Sequence, residues 1–251
     1  MLLVLLAAST FARSARTVHV FVAVCDNANQ GIVPVPAALG NGQDPQRNLY
    51  WGAMFGVKTF LGKSSEWEQK TITTAKRADV LDHVLFKHKA SGTLLLAEAF
   101  DGAAMRQCIQ GFFNALAGHD TLPLVANGAS ISFGGAADLV CFVGHDGLMD
   151  IDLGVGDVKT PVTGRHADAM VLCCYSASYF GPHVARSNGD LLVSTYGLMA
   201  PEAYVLDAAV RSWVTGKQAN AAREAAAQAY HAYQKCGVGA ARKLFGAKAS
   251  P

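Results

Sequence analysis

Charge is scarce in this chain of 251 residues: Asp, Glu, Lys and Arg make up 16% and the net charge is +2. No basic cluster interleaved with aromatics appears, so the electrostatic footprint of a nucleic-acid binder is missing and no nucleic-acid partner is expected. Metal-ligand spacing is missing too. The six cysteines, Cys25, Cys108, Cys141, Cys173, Cys174 and Cys236, form no C-x-x-C pair and no Cys/His cluster of zinc spacing. No metal site and no cofactor is expected. No Gly-rich phosphate motif follows the first strand candidate at nucleotide-site spacing, which ranks a nucleotide-binding α/β protein last among the function classes. Beyond the N-terminus no apolar run is long enough to span a bilayer. No linker-like stretch or internal repeat divides the chain.

What the chain has in quantity is apolar surface, 51% of residues, enough for the large core of one α/β domain. Met1 to Ala8 is apolar and Ser9 to Ala15 is rich in small residues. Cleavage after Ser14 puts Ala12 at the −3 position, so residues 1–15 read as a possible signal peptide. The single domain is then 16–251, exported to the periplasm or medium, with no stable membrane span after signal removal. No Lys or Arg precedes the apolar run, and a misplaced start codon or a first buried strand are the alternatives, with a cytoplasmic protein as the consequence.

Apolar runs bounded by turn residues predict strands at Val18–Val24, Asp82–His88, Thr93–Ala97 (ending at Glu98), Ala137–Gly144, Ala167–Leu172 and Leu191–Ser194. Helical spacing predicts helices over Asn48–Phe60 with Gly62 as its stop, Ala103–Ala117, Tyr179–Arg186, Ala200–Val214 and Gln218–Lys235. The tail beyond Cys236 is small and basic and is expected to fray. Strands alternating with helices argue for an α/β three-layer sandwich around a mainly parallel sheet.

Two of these strands end in reactive side chains. Ala137-Asp-Leu-Val-Cys-Phe-Val-Gly144 runs into His145-Asp146-Gly147, and Ala167-Asp-Ala-Met-Val-Leu172 runs into Cys173-Cys174-Tyr175-Ser176. Ligands of open α/β sheets bind beyond the carboxyl ends of the strands, where such a His and Cys can meet. A thiol nucleophile needs a neighbouring base. Strand alternation continues the core with Cys173 and turns Cys174 to the other side, so Cys174 is the preferred nucleophile. A buried inert Cys is the bland alternative, as it is for Cys108 and Cys141. His166 and His183 flank the Cys strand and compete with His145 as base. The amides of Gly147 and Cys174 are candidates for an oxyanion hole.

A hydrophobic block ending in His-Gly, then one ending in a small residue and Cys, resembles the caspase-like cysteine peptidases: caspases, legumain, gingipains, clostripain and separase. Phe142-Val-Gly-His145-Asp-Gly147 resembles their His block, and Met170-Val-Leu-Cys-Cys174-Tyr-Ser176 their Cys block, the separase version being nearest. The resemblance implies a caspase-like sandwich and a Cys174–His145 dyad acting on a peptide or protein substrate. Asp146, standing where the family usually has Gly, departs from the pattern. That departure favours the rival reading, a catalytically inactive caspase-like module that binds a peptide or protein partner. The Asp26-Asn27…Gly31-Ile-Val-Pro-Val-Pro36 segment and Tyr50-Trp-Gly-Ala53 resemble a branch of uncharacterised bacterial proteins.

The polar loop from Cys25 to Pro45 leaves the first strand at the same sheet edge and is expected to wall the cleft, with Asp26 and Asn27 nearest the chemistry and Asp146 and Ser176 as further wall residues. Turn-capping by Asp26 and Asn27 is at least as good a reading of those two. Glu98 and Asp101 are weaker candidates. Tyr196–Tyr204 offers the opposite wall, although Glu202 also suits a helix N-terminus.

Overall fold

A computed structural model describes residues 15–126, 129–154, 156–216 and 218–246. The stretch read as a signal peptide lies outside the described residues, apart from Ala15. Strand β1 (Thr17–Ala23) is buried along its whole length. It has parallel neighbours on both sides, β4 (Leu94–Phe100) and β7 (Leu139–Val143). Beyond β7 come β8 (Ala167–Leu172) and β9 (Gly189–Val193), also parallel. On the other side β3 (Val80–His88) joins β4 and β2 (Trp67–Lys70) joins β3, both antiparallel. The seven-stranded order is β2-β3-β4-β1-β7-β8-β9. A separate hairpin pairs β5 (Leu122–Ala126) with β6 (Ala129–Phe133).

Helices cover both faces, and this is why the central strands read as continuous apolar runs rather than alternating ones. Val18, Val20, Val22, Cys141, Val143, Met170 and Leu172 pack against α1 (Val57–Lys63), α5 (Ala203–Val214), α6 (Ala219–Gln234) and α7 (Val238–Leu244). Phe21, Ala23, Val140, Phe142, Ala169, Val171 and Cys173 face α2 (Met105–Leu116) and α4 (Gly181–Arg186), which follows the short α3 (Ser176–Tyr179). The protein is a three-layer α/β sandwich with a mainly parallel sheet. Among the described residues no helix is long and apolar enough to cross a membrane.

Several local expectations are corrected. The helix expected over Asn48–Phe60 begins only at Val57 and runs through Gly62 to Lys63. Asn48 is the reason: its Oδ1 accepts the N–H groups of Cys25 and Tyr50 at 3.0 and 3.1 Å, and its Nδ2 donates to the Cys25 carbonyl at 2.7 Å. The side chain thus ties this segment to the end of β1 in a series of turns. The first part of the tail is helical over Val238–Leu244, because Ala241 and Phe245 are buried and Arg242 grips Glu224 with two nitrogens, while residues 247–251 lie outside the described residues. The short strand β2 and the β5–β6 hairpin were not foreseen.

Glu98 does not end its strand. It sits inside β4, fully buried, where its Oε2 accepts from His19 Nε2 at 2.8 Å and from Arg77. His19 Nδ1 accepts the Gly134 N–H at 3.1 Å, so the imidazole is neutral with its proton on Nε2. This network ties β1 and β4 to the turn after the hairpin. Burial raises the Glu98 carboxyl, but the His19 bond and Arg77 outweigh it and hold the group at about 2. A carboxyl depressed in the folded state stabilises above its unfolded value, and that contribution is lost as pH falls from about 4.5 to about 2. Burial likewise lowers His19, whose protonation also opposes folding in acid. Glu98→Ala leaves the buried His19 Nε2–H without its acceptor while the partly exposed Arg77 returns to solvent, so it is expected to lose about 1–3 kcal/mol in urea unfolding at pH 7, with the difference from wild type shrinking as pH drops toward 2.

Candidate functional site

The last bridged pair between β7 and β8 is Val143 with Leu172. One further rung follows, the Gly144 N–H donating to the Leu172 carbonyl at 3.3 Å. His145 and Cys174 each lie two residues beyond that bridged pair, on adjacent parallel strands about 4.8 Å apart. Both therefore emerge at one level of the carboxyl edge. Gly144 makes the exit possible. Its φ is +154°, and a Cβ there would stand 2.8 Å from the Ala23 carbonyl oxygen of β1.

His145 is mostly buried, and its Nε2 pairs with Asp150 Oδ2 at 2.9 Å. The carboxylate accepts, so Nε2 carries the proton and Nδ1 is left with the lone pair of a base. Asp150 was missed in the sequence. A His-x-x-x-x-Asp spacing carries no signal until Gly147–Met149 is seen to coil as a 3-10 turn that swings Asp150 back. Asp150 also touches the polar loop: a Cβ on Gly31 would lie 3.2 Å from its carboxylate oxygens.

The two cysteines separate cleanly. Cys173 is fully buried in the α2-side core, and burial pushes its thiol far up. Cys174 is half-buried on the other side. The Met199 N–H donates to its Sγ at 3.4 Å, and the thiol donates to the Met199 carbonyl at 3.6 Å. Tyr175 follows in a left-handed conformation (φ 49°), an elbow that turns the strand end into α3. Met199 belongs to a strap, residues 195–200, laid across the thiol. Its fastenings are the Tyr196 N–H to the Leu244 carbonyl of α7 (2.8 Å), the Tyr175 N–H to the Gly197 carbonyl (3.0 Å), and the Ala200 N–H to the Tyr230 hydroxyl (3.2 Å). Tyr196 and Leu198 project outward, 62% and 72% exposed. The Tyr196–Tyr204 segment, expected as a cleft wall, lies with its backbone on the Cys174 sulfur, a grip the sequence did not announce.

The rival bases lie elsewhere. His166 precedes β8, on the order of 25 Å of strand from Cys174, and pairs with Asp190. His183, on α4, stacks on Phe113 in the opposite layer.

The expected wall residues are largely interior. Asp26 is 1% exposed: its Oδ1 accepts from Ala28 and Asn29 amides, and its Oδ2 from the Asn29 and Gln43 side chains. These bonds outweigh burial and lower its pKa. Glycine is required at 42 and 102, where a Cβ would come within 2.2 and 2.4 Å of the Asp26 side chain. Asn27 binds both backbone groups of Val35. Asp26 caps its own turn, whereas Asn27 bridges across the loop to a residue eight positions on. Ser176 is buried, donating to the Val171 carbonyl and accepting from the Thr195 amide. Asp101 caps a short turn through the Ala103 N–H. Gly147's N–H is already bonded to the His145 carbonyl at 3.0 Å, so it is not a free oxyanion donor in this conformation.

Asp146 is fully buried at the base of the His145 loop. Its Oδ1 caps the 3-10 turn at the Leu148 N–H (3.1 Å), while Oδ2 has no partner among the described residues. Burial pushes this carboxyl up to about 7, against the pull of the Leu148 amide and with a smaller push from Asp150. Among the described residues no group of three His, Cys, Asp or Glu side chains is arranged to hold a metal. Comparison with protein-family models, curated proteins and solved structures gives no match to this chain.

Two outcomes are expected. In a Cys236→Ser background, which removes the exposed thiol, iodoacetamide mapped by mass spectrometry labels Cys174 well before Cys25, Cys108, Cys141 or Cys173, and faster still when the chain stops before α7. An acid raised in the folded state destabilises as pH climbs from its unfolded value, about 4, through about 7. Asp146→Asn, which keeps the cap, is therefore expected to melt higher than wild type at pH 8 and to lose that advantage toward pH 4.

Proposed function

We propose that this chain is a cysteine peptidase or related acyl-transfer hydrolase of the caspase-like kind, exported if its first residues act as a signal. The observation that carries the reading is the shared level of His145 and Cys174 on adjacent parallel strands. Cys174 Sγ attacks the scissile carbonyl carbon while His145 Nδ1 takes the thiol proton. The C–N bond then breaks as His145 returns that proton to the leaving amine; water next attacks the thioester with His145 as base, the C–S bond breaks to release the carboxylic acid, and His145 gives the proton back to Cys174 Sγ. Asp150, on Nε2, fixes the tautomer and stabilises the imidazolium. It is a positioning residue, the part such carboxylates play in triads.

A second reading has specific support: a catalytically inactive module of the same kind that binds a peptide or protein partner. Met199 occupies the sulfur, Gly147's amide is engaged, and Asp146 departs from the His-Gly pattern. For catalysis the strap must lift from Cys174, and an oxyanion donor must come from the Cys174 N–H or from Gly147 released by His145.

Thiol alkylation across pH, paired with a fluorogenic peptide library, separates the two. The peptidase reading expects Cys174 to react well below the ordinary thiol pKa of ~8.5. His145→Ala removes that low-pH reactivity. Asp150→Asn lowers turnover by up to about 10⁴-fold, the cost seen when the orienting carboxylate of a triad is replaced, while Cys174→Ala abolishes it. A Cys174 that titrates as an ordinary thiol, unaltered by His145→Ala and with no peptide cleaved, sinks the peptidase reading and favours the binding module.

A further inference from the structure

The strap over Cys174, residues 195–200, is not held uniformly. Its first residue is built into the fold: Thr195 is fully buried, its N–H donates to Ser176 Oγ at 2.8 Å, and its hydroxyl donates to the Cys173 carbonyl. The next fixed point is Gly197, whose carbonyl accepts the Tyr175 N–H. Met199, which makes both contacts to the Cys174 sulfur, lies beyond it.

The fastenings on either side of Met199 both lead to α7. On one side the Tyr196 N–H donates to the Leu244 carbonyl at 2.8 Å. The Tyr196 ring also lies on Gly246, just past the helix, where a Cβ would collide with it. On the other side the Ala200 N–H donates to the Tyr230 hydroxyl at 3.2 Å, and Phe245 meets the Tyr230 ring edge-on, 5.7 Å between centroids. One helix end therefore supports the strap directly through Leu244 and indirectly through Phe245 and Tyr230.

Helix α7 is also the element most easily parted from the rest. It has 7 residues, too few for a helix to persist alone in water. The connection from α6 is exposed through Gln234, Lys235, Cys236 and Gly237, and it turns through positive φ at Lys235 (56°) and Gly237 (87°). Ala241 and Phe245 seat it in the core, and Arg242 holds both oxygens of Glu224 across a partly exposed contact. Segments with few buried contacts and a solvent-exposed connection open at lower cost than the sheet.

We propose that α7 is an autoinhibitory latch. Seated, it keeps the Met199 backbone on the Cys174 sulfur; unseated, it leaves the strap tied through Thr195 and Gly197 and free to swing away. The latch, whose role rests on the proposed Cys174–His145 hydrolase, puts control of that thiol in the C-terminal helix and apart from the residues that do the chemistry.

The test is the iodoacetamide labelling rate of Cys174 in the full-length chain, in the Cys236→Ser background, with melting temperatures to show that each variant is folded. Tyr230→Phe keeps the ring against Phe245 and removes the hydroxyl that holds Ala200. Arg242→Glu and Glu224→Arg each set like charges across the α6–α7 contact, and the double exchange restores opposite ones. Each single variant is expected to label Cys174 about three- to tenfold faster than the background, the scale of one lost hydrogen bond. The Arg242→Glu/Glu224→Arg double is expected to return toward the background rate. Cys25 and Cys141, buried in the core on the same side of the sheet, stay unlabelled. Background-rate labelling in Tyr230→Phe or in both charge variants overturns the proposal, as does a double variant as fast as the singles. Labelling of Cys25 and Cys141 in step with Cys174 overturns it too, since that is global unfolding. A fluorogenic peptide read in parallel separates the latch from the hydrolase: faster labelling with no cleavage upholds the first and removes the second.

Discussion

The parallel ladder β1-β7-β8, buried on both faces, is the constraint on which the rest depends. Each strand's amides are satisfied only by its neighbours, and a one-residue slip would exchange every side chain between the two helical layers. The register is therefore held by both cores at once: Val143 and Leu172 belong to one, Phe142 and Val171 to the other. That same register brings His145 and Cys174 out at one level. A slip would bury Cys174 and expose Cys173, so the packing of the sandwich and the choice of accessible thiol have a single cause.

Around that edge the polar groups divide into those that hold loops and those left open to chemistry. Asp26, Asn27, Asn48 and Ser176 spend their hydrogen bonds on backbone and neighbouring side chains. They give a long polar loop a fixed course where regular structure is lacking. His145 is different: one ring nitrogen is committed to Asp150 and the other is not. Cys174 is different as well, since among the described residues its hydrogen-bond partners are backbone groups of a strap. The strap is fastened by α7, which makes the C-terminal helix part of the site's surroundings although it carries no reactive group.

The strands were readable because fully buried parallel strands leave short, continuous apolar runs, and Val18–Val24, Ala137–Gly144 and Ala167–Leu172 are such runs. The helices α2, α5 and α6 were readable from periodicity and composition. What escaped was structure set by single long-range bonds. Nothing local in Asn48–Phe60 says that Asn48 reaches back to Cys25 and holds the first turns out of a helix. Likewise the helix Val238–Leu244 is held by Ala241 and Phe245 in the core and by Arg242 on Glu224, contacts that its own composition does not announce.

The sequence by itself determined the layer architecture, the parallel core, and the delivery of one His and one Cys to strand ends, because burial on two faces writes itself into apolar runs and turn residues. Only the tertiary structure decided what surrounds them. Asp150 returns to His145 through a 3-10 turn, Met199 covers Cys174, and Asp26 is drawn inside. These are relations between segments that local pattern does not encode, since each depends on which backbone groups a fold leaves unsatisfied and which side chain can reach them.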